Sequence, residues 1–389
     1  MTFPTPRLPV LDWNTYSGKQ LSATPCLLTL PTVQFTISGR AAILLALEML
    51  GVGPGDKVLV PTYHCPTMIA PIVARGAQVV FYPLDDFGAP KLEWIKQTNI
   101  QGVRAIIAAH FFGLPQGLGA VRLWCDQQGV RLIEDCAHSM FGSSDSRPVG
   151  CWGDLAIASL TKFLPVPEGG CLVINSAQRP FPNLDQPSTM RQVKASIDII
   201  HAGVNHGRLK GFGTLVNGAF KFLGLFRAKK PLRSGSLDLL LSDGFTIDVA
   251  QCHQALTVAC RWTAQHAPRE RIVFRRREHY MFLTRALSGL SSMRPLRAHL
   301  PENCAPYVFP LWVDQADPGY AELRRLEFPV SRWDRLWPTT PAIEGDSGTQ
   351  WSIHVLQLAC HQDLSSNELQ RMVDTLKRVY AVKALESTS

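Results

Sequence analysis

Apolar residues in this chain fall into short unbroken runs, punctuated by glycine, proline and polar clusters. Lys57–Pro61 (KVLVP), Gln78–Tyr82, 104–109 and 130–134 have continuous apolar centres with polar residues only toward their ends, rather than strict alternation, the pattern of strands covered on both faces. Helical runs at 41–50, 67–75, 92–96 and Gly119–Gln128 separate them, several closed by a glycine (Gly51, Gly76). Strand and helix in turn predict an α/β fold: a mainly parallel sheet with helices over it. Ligands in such sheets collect beyond the carboxyl ends of the strands. Ser38, Tyr63, His64, His110, Asp135 and His138 all follow a predicted strand or open a predicted helix.

Two further apolar runs, Leu155–Ser159 and 171–175, flank Lys162. Between them lie Pro165, Pro167 and the triplet Glu168-Gly169-Gly170. A lysine where a buried strand breaks into a turn is open to desolvation, which favours its neutral, nucleophilic form. An ordinary lysine is a solvated surface residue, so the candidate leans on a second stretch, RLIEDCAHS, which ends a strand with Asp135. That carboxylate could cap the sheet, bind a metal or anchor the protonated nitrogen of a heterocycle. Metal fits poorly, because His138 alone does not complete a ligand set. Asp135 followed by Lys162 suits pyridoxal phosphate: the lysine bonds the cofactor, and the carboxylate keeps the pyridine nitrogen protonated so that the ring can take up electrons. Ser38 is a natural N-cap, and the helix it opens is either a phosphate seat or a plain capped helix.

The rest of the chain is less regular. Residues 1–35 carry five prolines and predict a segment that wraps a surface. The histidines of 201–208 read as solvated loop residues. Residues 215–233 mix large apolar and basic side chains, the composition of a helix packed on a partner subunit or of one lying on an anionic membrane. Residues 247–290 read as a long charged helix whose arginines (Arg269, Arg271, Arg275, Arg276, Arg277) form a solvated face paired with Glu270 and Glu278. Short strands at 307–313 and 328–330 and a helix at 364–379 predict a small α+β unit, with Trp333 and Trp337 in its core and His354 toward the cleft.

Composition narrows the classes. At 389 residues, 46% apolar and 18% charged, the chain is an ordinary globular protein with room for two domains. The net charge of +8 lies entirely between Met190 and Arg233, where nine basic residues face one acid, Asp198. No nucleic-acid-binding motif accompanies it. The first residues, MTFPTPRLPVLDW, hold no apolar stretch of the kind a secretory signal needs. Ten cysteines without a C-x-x-C pair predict a reducing cytoplasm.

Taken in order, SGRAAILLAL, GVGPGDKVLVPTYHCPTMIAPIVARGAQVVFYPLD, AAHFFGLP, GVRLIEDCAHSMFG, GDLAIASLTKF and EGGCLVIN resemble the DegT/DnrJ/StrS family of sugar aminotransferases, over roughly residues 34–175. The resemblance implies a fold type I pyridoxal-phosphate enzyme. Its large domain would span 36–245 with a basic insert at 190–235, after an N-terminal wrap at 1–35. A linking helix region at 246–290 and a small α+β domain at 291–389 would follow. Lys162 would be the cofactor-bonding, proton-moving lysine, and Asp135 would meet the pyridine nitrogen. His138 would lie beside the ring 3-oxygen, and Ser38, Gly39, Arg40 and Ser159 would hold the phosphate. Tyr63, or else His64, would stack on the ring. The family further implies a homodimer acting on a nucleotide-linked keto-sugar with an amino donor such as glutamate; the cytoplasm is the compartment the cysteines point to, and the basic apolar stretch 215–233 raises peripheral contact with the inner membrane face. Two departures stand out. Ser159 and Lys162 are three apart where the family usually has five, and Asp243–Asp248 replaces an asparagine–aromatic–arginine motif. The altered Asp243–Asp248 segment and the basic insert raise the alternative of a catalytically silent homologue acting as a binding or membrane-associated assembly factor in glycan biosynthesis. Sugar dehydration is disfavoured, because family members of that kind generally replace the lysine.

Overall fold

The computed structural model describes residues 4–20, 22–175, 180–211 and 244–386. Among the described residues nine strands fall in the first half of the chain: β1 (Val33–Thr36), β2 (Lys57–Pro61), β3 (Gln78–Tyr82), β4 (Val103–Ala109), β5 (Arg131–Asp135), the short β6 (Ser143–Ser144) and β7 (Arg147–Pro148), β8 (Leu155–Ser159) and β9 (Gly170–Ile174). Seven of them form one sheet in the order β1-β9-β8-β5-β4-β2-β3. The stretch from β8 to β3 is parallel, and β9 turns back antiparallel between β8 and β1. The apolar runs explain the burial: all five residues of β9 and the last four of β2 and β5 are buried.

Helices α1 (Gly39–Met49), α2 (Pro66–Ala74), α3 (Leu92–Gln97) and α4 (Gly119–Gln128) are the crossovers. α1 is apolar on nearly all sides, with Ala41 to Leu47 buried, because it packs between β8, β9 and α2. α5 (Thr189–Asn205) follows, capped by Ser188 Oγ on the Arg191 N–H at 3.3 Å.

The long helix predicted across 247–290 is three helices: α6 (Val249–Cys252), α7 (Val258–His266) and α8 (Arg269–Leu287). Thr257 and Pro268, both extended, interrupt it. The arginine row is not a solvated face. Arg276 is completely buried, Arg271 bridges Asp12 and Asp363, and Arg277 donates to the Cys304 carbonyl at 3.0 Å. Arg275, paired with Glu278, keeps the predicted arrangement.

A second sheet follows α8, antiparallel throughout in the order β10 (Met293–Pro295), β11 (Val308–Val313), β13 (Val355–Ala359), β12 (Val330–Ser331). Helices α9 (Gly319–Arg325), α10 (Ser347–His354) and α11 (Ser366–Glu386) accompany it. Its core of Tyr280, Leu283, Phe309, Leu356, Leu369 and Leu376 is separate from that of the large sheet. All ten cysteines are unbridged. Among the described residues no helix is long and apolar enough to cross a membrane. The stretch 215–233 lies outside the described residues.

Candidate active site

A cavity of about 480 Å³ opens at the carboxyl edge of the large sheet, beneath the strand ends of the second sheet, within the range of roughly 300–1,000 Å³ typical of small-molecule sites. Ser38, Gly39, Arg40, Asp135, His138, Ser159 and Lys162 all line it. These residues span well over a hundred positions of sequence, and the parallel crossovers deliver them to one place.

Lys162 closes a single 3-10 turn, Leu160–Lys162, that ends β8. The turn lets a separation of three positions bring both Ser159 and Lys162 to the cavity, and Thr161, whose hydroxyl lies 3.3 Å from that of Ser159, joins them. Burial lowers the Lys162 amine to about 8 against the opposing pull of Asp135. Its Nζ lies 5.3 Å from the centre of the Tyr307 ring. The main chain is held from below. Arg276 donates to the Lys162 carbonyl (2.8 Å), to Pro306 O (2.9 Å), to Tyr307 O (3.1 Å) and to Gln362 Oε1 (2.8 Å), its guanidinium carbon 4.5 Å from the centre of the Phe163 ring. Gln362 in turn donates to Phe163 O at 2.9 Å.

Asp135 ends β5. Its Oδ1 accepts the Ala137 N–H at 2.8 Å, its one hydrogen bond among the described residues. Burial raises the carboxyl, while the Ala137 N–H and the charge of Lys162 oppose the rise. A buried carboxylate with one donor is stabilised by a cationic N–H from a ligand. Its neighbour Glu134 faces the other way and is saturated. His110 Nε2 (3.0 Å) and Gly150 N–H (2.7 Å) meet Oε1; Trp152 N–H (2.8 Å) and Gly153 N–H (3.2 Å) meet Oε2. The cluster His110, Glu134 and Cys136 has metal-ligand composition, but these backbone donors make it a structural knot.

His138 is buried between Tyr307 (4.5 Å between ring centres) and Trp333 (4.8 Å). Burial, reinforced by the Lys162 charge, holds it well below the usual histidine range, so it is neutral. Its Nδ1 accepts the Phe112 N–H at 3.3 Å, which leaves the ring proton on Nε2 as a donor. The turn that supplies this N–H is constrained: Phe112 sits at φ +61°, and a Cβ at Gly113 (φ +84°) would fall 2.2 Å from the Tyr307 nitrogen.

Opposite, Ser38 caps α1 through its Oγ on the Ala41 N–H (3.1 Å). Gly170 lets the start of α1 come against β9: a Cβ there would lie 2.3 Å from Ser38 C and 2.5 Å from Gly39 N. The Glu168-Gly169-Gly170 triplet thus sets the helix N-terminus at the cavity wall, where its amides and dipole favour an anion. Arg40 reaches back to the Thr246 carbonyl.

The aromatic placement differs from the sequence expectation. Tyr63 is fully buried behind the cavity, 4.9 Å from Trp333 and 5.5 Å from Phe111, its hydroxyl bonded by Gln357 Nε2 at 3.0 Å. His64 turns away, with Nδ1 on Pro61 O and Nε2 accepting the Trp337 N–H. Cys65, just before α2, lines the cavity instead. Trp333 is a lining residue rather than core, and His354 stacks on Trp312 outside the cavity. Sequence reasoning passed over Arg7, Cys65, Thr161, Tyr307 and Gln357, all in the lining. Only Thr161, beside the lysine, carried a local signal. Arg191, also in the lining, is held by Glu168 (3.0 Å) and Gln254 (3.0 Å). His206, read as solvated, bonds Pro4 O at 2.8 Å.

Residues 32–179 match the DegT/DnrJ/EryC1/StrS aminotransferase family. A UDP-N-acetyl-3-dehydro-alpha-D-glucosamine 3-aminotransferase of Acidithiobacillus ferrooxidans is 33% identical over 142 residues, which are 36% of this chain and 38% of that protein. The GDP-perosamine synthase of Vibrio cholerae is 32% identical over 142 residues, 36% and 39% of the two chains. The match thus spans about two fifths of these relatives. Among solved structures, the aminotransferase TlmJ of Streptoalloteichus hindustanus superposes with a TM-score of 0.61 at 20% identity, over 91% of this chain and 87% of its own. NtdA of Bacillus subtilis, solved with the cofactor PMP, gives 0.59 at 15% identity over 90% and 73%. The fold is that of the fold type I aminotransferases.

Proposed function

We propose, on the premise that residues 32–179 belong to the DegT/DnrJ/EryC1/StrS aminotransferase family, that this protein is a pyridoxal-phosphate-dependent aminotransferase of keto-sugars. The observation that carries the reading is one cavity in which a desolvated amine, Lys162, and a buried carboxylate, Asp135, act on each other electrostatically. The residues fit the cofactor. Asp135 has an acceptor for a protonated ring nitrogen, His138 Nε2 offers a proton to the ring 3-oxygen, and Ser38, Gly39, Ser159 and Thr161 surround a helix N-terminus suited to phosphate. Bound pyridoxal phosphate supplies the electron sink for the carbanion at the donor's α carbon.

The chain's part is to position groups and move protons. A Lys162 amine lowered to about 8 becomes largely neutral only above that pH, yet holds a far larger neutral fraction near neutrality than an ordinary lysine. It can take the proton from the donor's α carbon and deliver it again on the same face, a role worth about 10²–10⁴ in rate. Arg276, through the Lys162 carbonyl, fixes where that amine starts. Trp333, Tyr307 and Phe111 keep the wall apolar and exclude water.

The relatives' names support a nucleotide-linked keto-sugar as amino acceptor, and glutamate is the donor we propose. Exposed apolar side chains on α5 and α7, Met190 (83% exposed), Val193 (53%), Val258 (68%) and Trp262 (48%), support a second copy of the chain as partner. Ten unbridged cysteines support a reducing, cytoplasmic compartment. The test is optical, then chemical. Purified protein given pyridoxal phosphate should develop a visible absorption band that Lys162→Ala abolishes. With glutamate it should aminate one of a panel of keto-sugar nucleotides, read by mass. A protein that takes up no cofactor would instead be the silent homologue.

A further inference from the structure

The second sheet supplies one wall of the cavity. Ser331 ends β12, Gln357 lies in β13 and Trp333 follows β12; all three line the cavity, with Tyr307 just before β11. None of the four carries a charge at neutral pH. Every charged side chain in the lining, Lys162 and Asp135 among them, belongs to residue 248 or an earlier one. Ser331 and Gln357 are partners in register across β12 and β13, so their side chains leave the same face of the sheet. Gln357 is 1% exposed, and its side chain has one partner among the described residues, the Tyr63 hydroxyl 3.0 Å from Nε2. Its amide oxygen, the Ser331 hydroxyl and the Trp333 indole N–H have no partner among the described residues. This wall continues from the reacting end of the site. Lys162 Nζ lies 5.3 Å from the centre of the Tyr307 ring, Tyr307 4.5 Å from His138, His138 4.8 Å from Trp333 and Trp333 4.9 Å from Tyr63, between ring centres.

We propose that Gln357 and Ser331, with Trp333 beside them, bind hydroxyls of the sugar ring and so select the amino acceptor. The proposal rests on the aminotransferase reading. Such an enzyme admits an amino acid and a keto-sugar to the same cavity in turn. The amino acid brings a carboxylate and the nucleotide brings phosphates, and both are matched by cations. The hexose brings hydroxyls, which are neutral and both donate and accept. The wall offers the matching set: an amide oxygen that accepts, a hydroxyl that does either and an indole N–H that donates. Exchanging the amide's oxygen and nitrogen would turn N–H groups to the cavity, which suit a hydroxyl equally. A buried polar group without a partner is unfavourable, and a ligand hydroxyl relieves it. The same group penalises an analogue that lacks the hydroxyl. Tyr63 gains a use here. Standing behind the cavity, it fixes the Gln357 amide and is a positioning residue.

The test uses the full chain loaded with pyridoxal phosphate, as wild type, Gln357→Leu and Ser331→Ala. The probe is whichever member of a panel of UDP-, GDP- and dTDP-linked keto-hexoses the wild type aminates fastest with L-glutamate. Beside it stand its deoxy forms, each with one hexose hydroxyl replaced by hydrogen. The quantities read are kcat/KM for each sugar and KM for L-glutamate in the amino-donating half reaction. In the wild type one deoxy form should lose about 10–100-fold. Gln357→Leu should lose a similar factor on the full probe and nothing further on that deoxy form, with the glutamate KM within threefold. Ser331→Ala should show the same pattern at about tenfold, and it carries the test alone if the leucine form does not fold and bind cofactor. Sugar kcat/KM within threefold of wild type in both variants, losses that simply add for every deoxy form, or a loss that falls on glutamate overturns the assignment. Failure of the underlying reading shows earlier, as a wild type that aminates no member of the panel, and overturns both.

Discussion

Replacing Lys162 by methionine should make the cofactor-free protein more stable at neutral pH. Burial brings the amine from 10.5 to about 8, and each pH unit of displacement equals about 1.36 kcal/mol. The charged lysine therefore costs the folded state about 3 kcal/mol at any pH below about 8. Methionine fills a similar volume without a charge. Part of the gain is returned, because Asp135 loses the ammonium that favours its ionised form, so we expect a net stabilisation of about 1–3 kcal/mol. The sign with pH is fixed. The depressed amine binds fewer protons folded than unfolded between about 8 and 10.5, so the wild-type penalty is whole below about 8 and fades as pH rises through that window. Urea denaturation of both apo-proteins from pH 6 to 10.5, with slopes compared, would measure it. A methionine variant less stable than wild type at pH 7, or a stability difference that does not shrink toward pH 10.5, would refute the idea that the site is held against a desolvation cost.

Arg276→Met should destabilise the protein by at least about 3 kcal/mol, since it strips donors from three buried carbonyls and Gln362, each worth about 1–3 kcal/mol when left unpaired; a thermal or urea midpoint within error of wild type would contradict this. Gly170→Ala should push the start of α1 off β9, because the added carbon would meet Ser38 at 2.3 Å. Pyridoxal phosphate affinity should fall at least about tenfold while the far-ultraviolet circular dichroism stays close to wild type, and unaltered affinity would count against the phosphate seat.

The parallel strands were readable because each is buried on both faces and so reads as one apolar run. Lys162, Asp135, His138 and the start of α1 were readable because strand ends converge in this fold whatever the loops do. Tyr63 could not be placed from sequence. Tyr63, His64 and Cys65 follow β2 in a loop where side chains do not alternate as in a strand, and it is the Pro66 start of α2 that turns Cys65 to the cavity. Arg276 was misread for a different reason. A row of arginines on a helix looks the same whether water or protein covers it, and here the cover is Gln362 and the Pro306–Tyr307 turn, remote in sequence. Arg7 lies in a segment with no periodicity at all, so only tertiary anchors could locate it.

The pairing of Ser159 with Gly170 across β8 and β9 has a consequence for how such chains diverge. Both feet of the intervening connection are nailed to neighbouring rungs of one ladder, and the reactive lysine stands between them. Deleting or adding residues there redraws the path without disturbing the rungs, so the number of steps from serine to lysine is free to drift while the chemistry keeps its address.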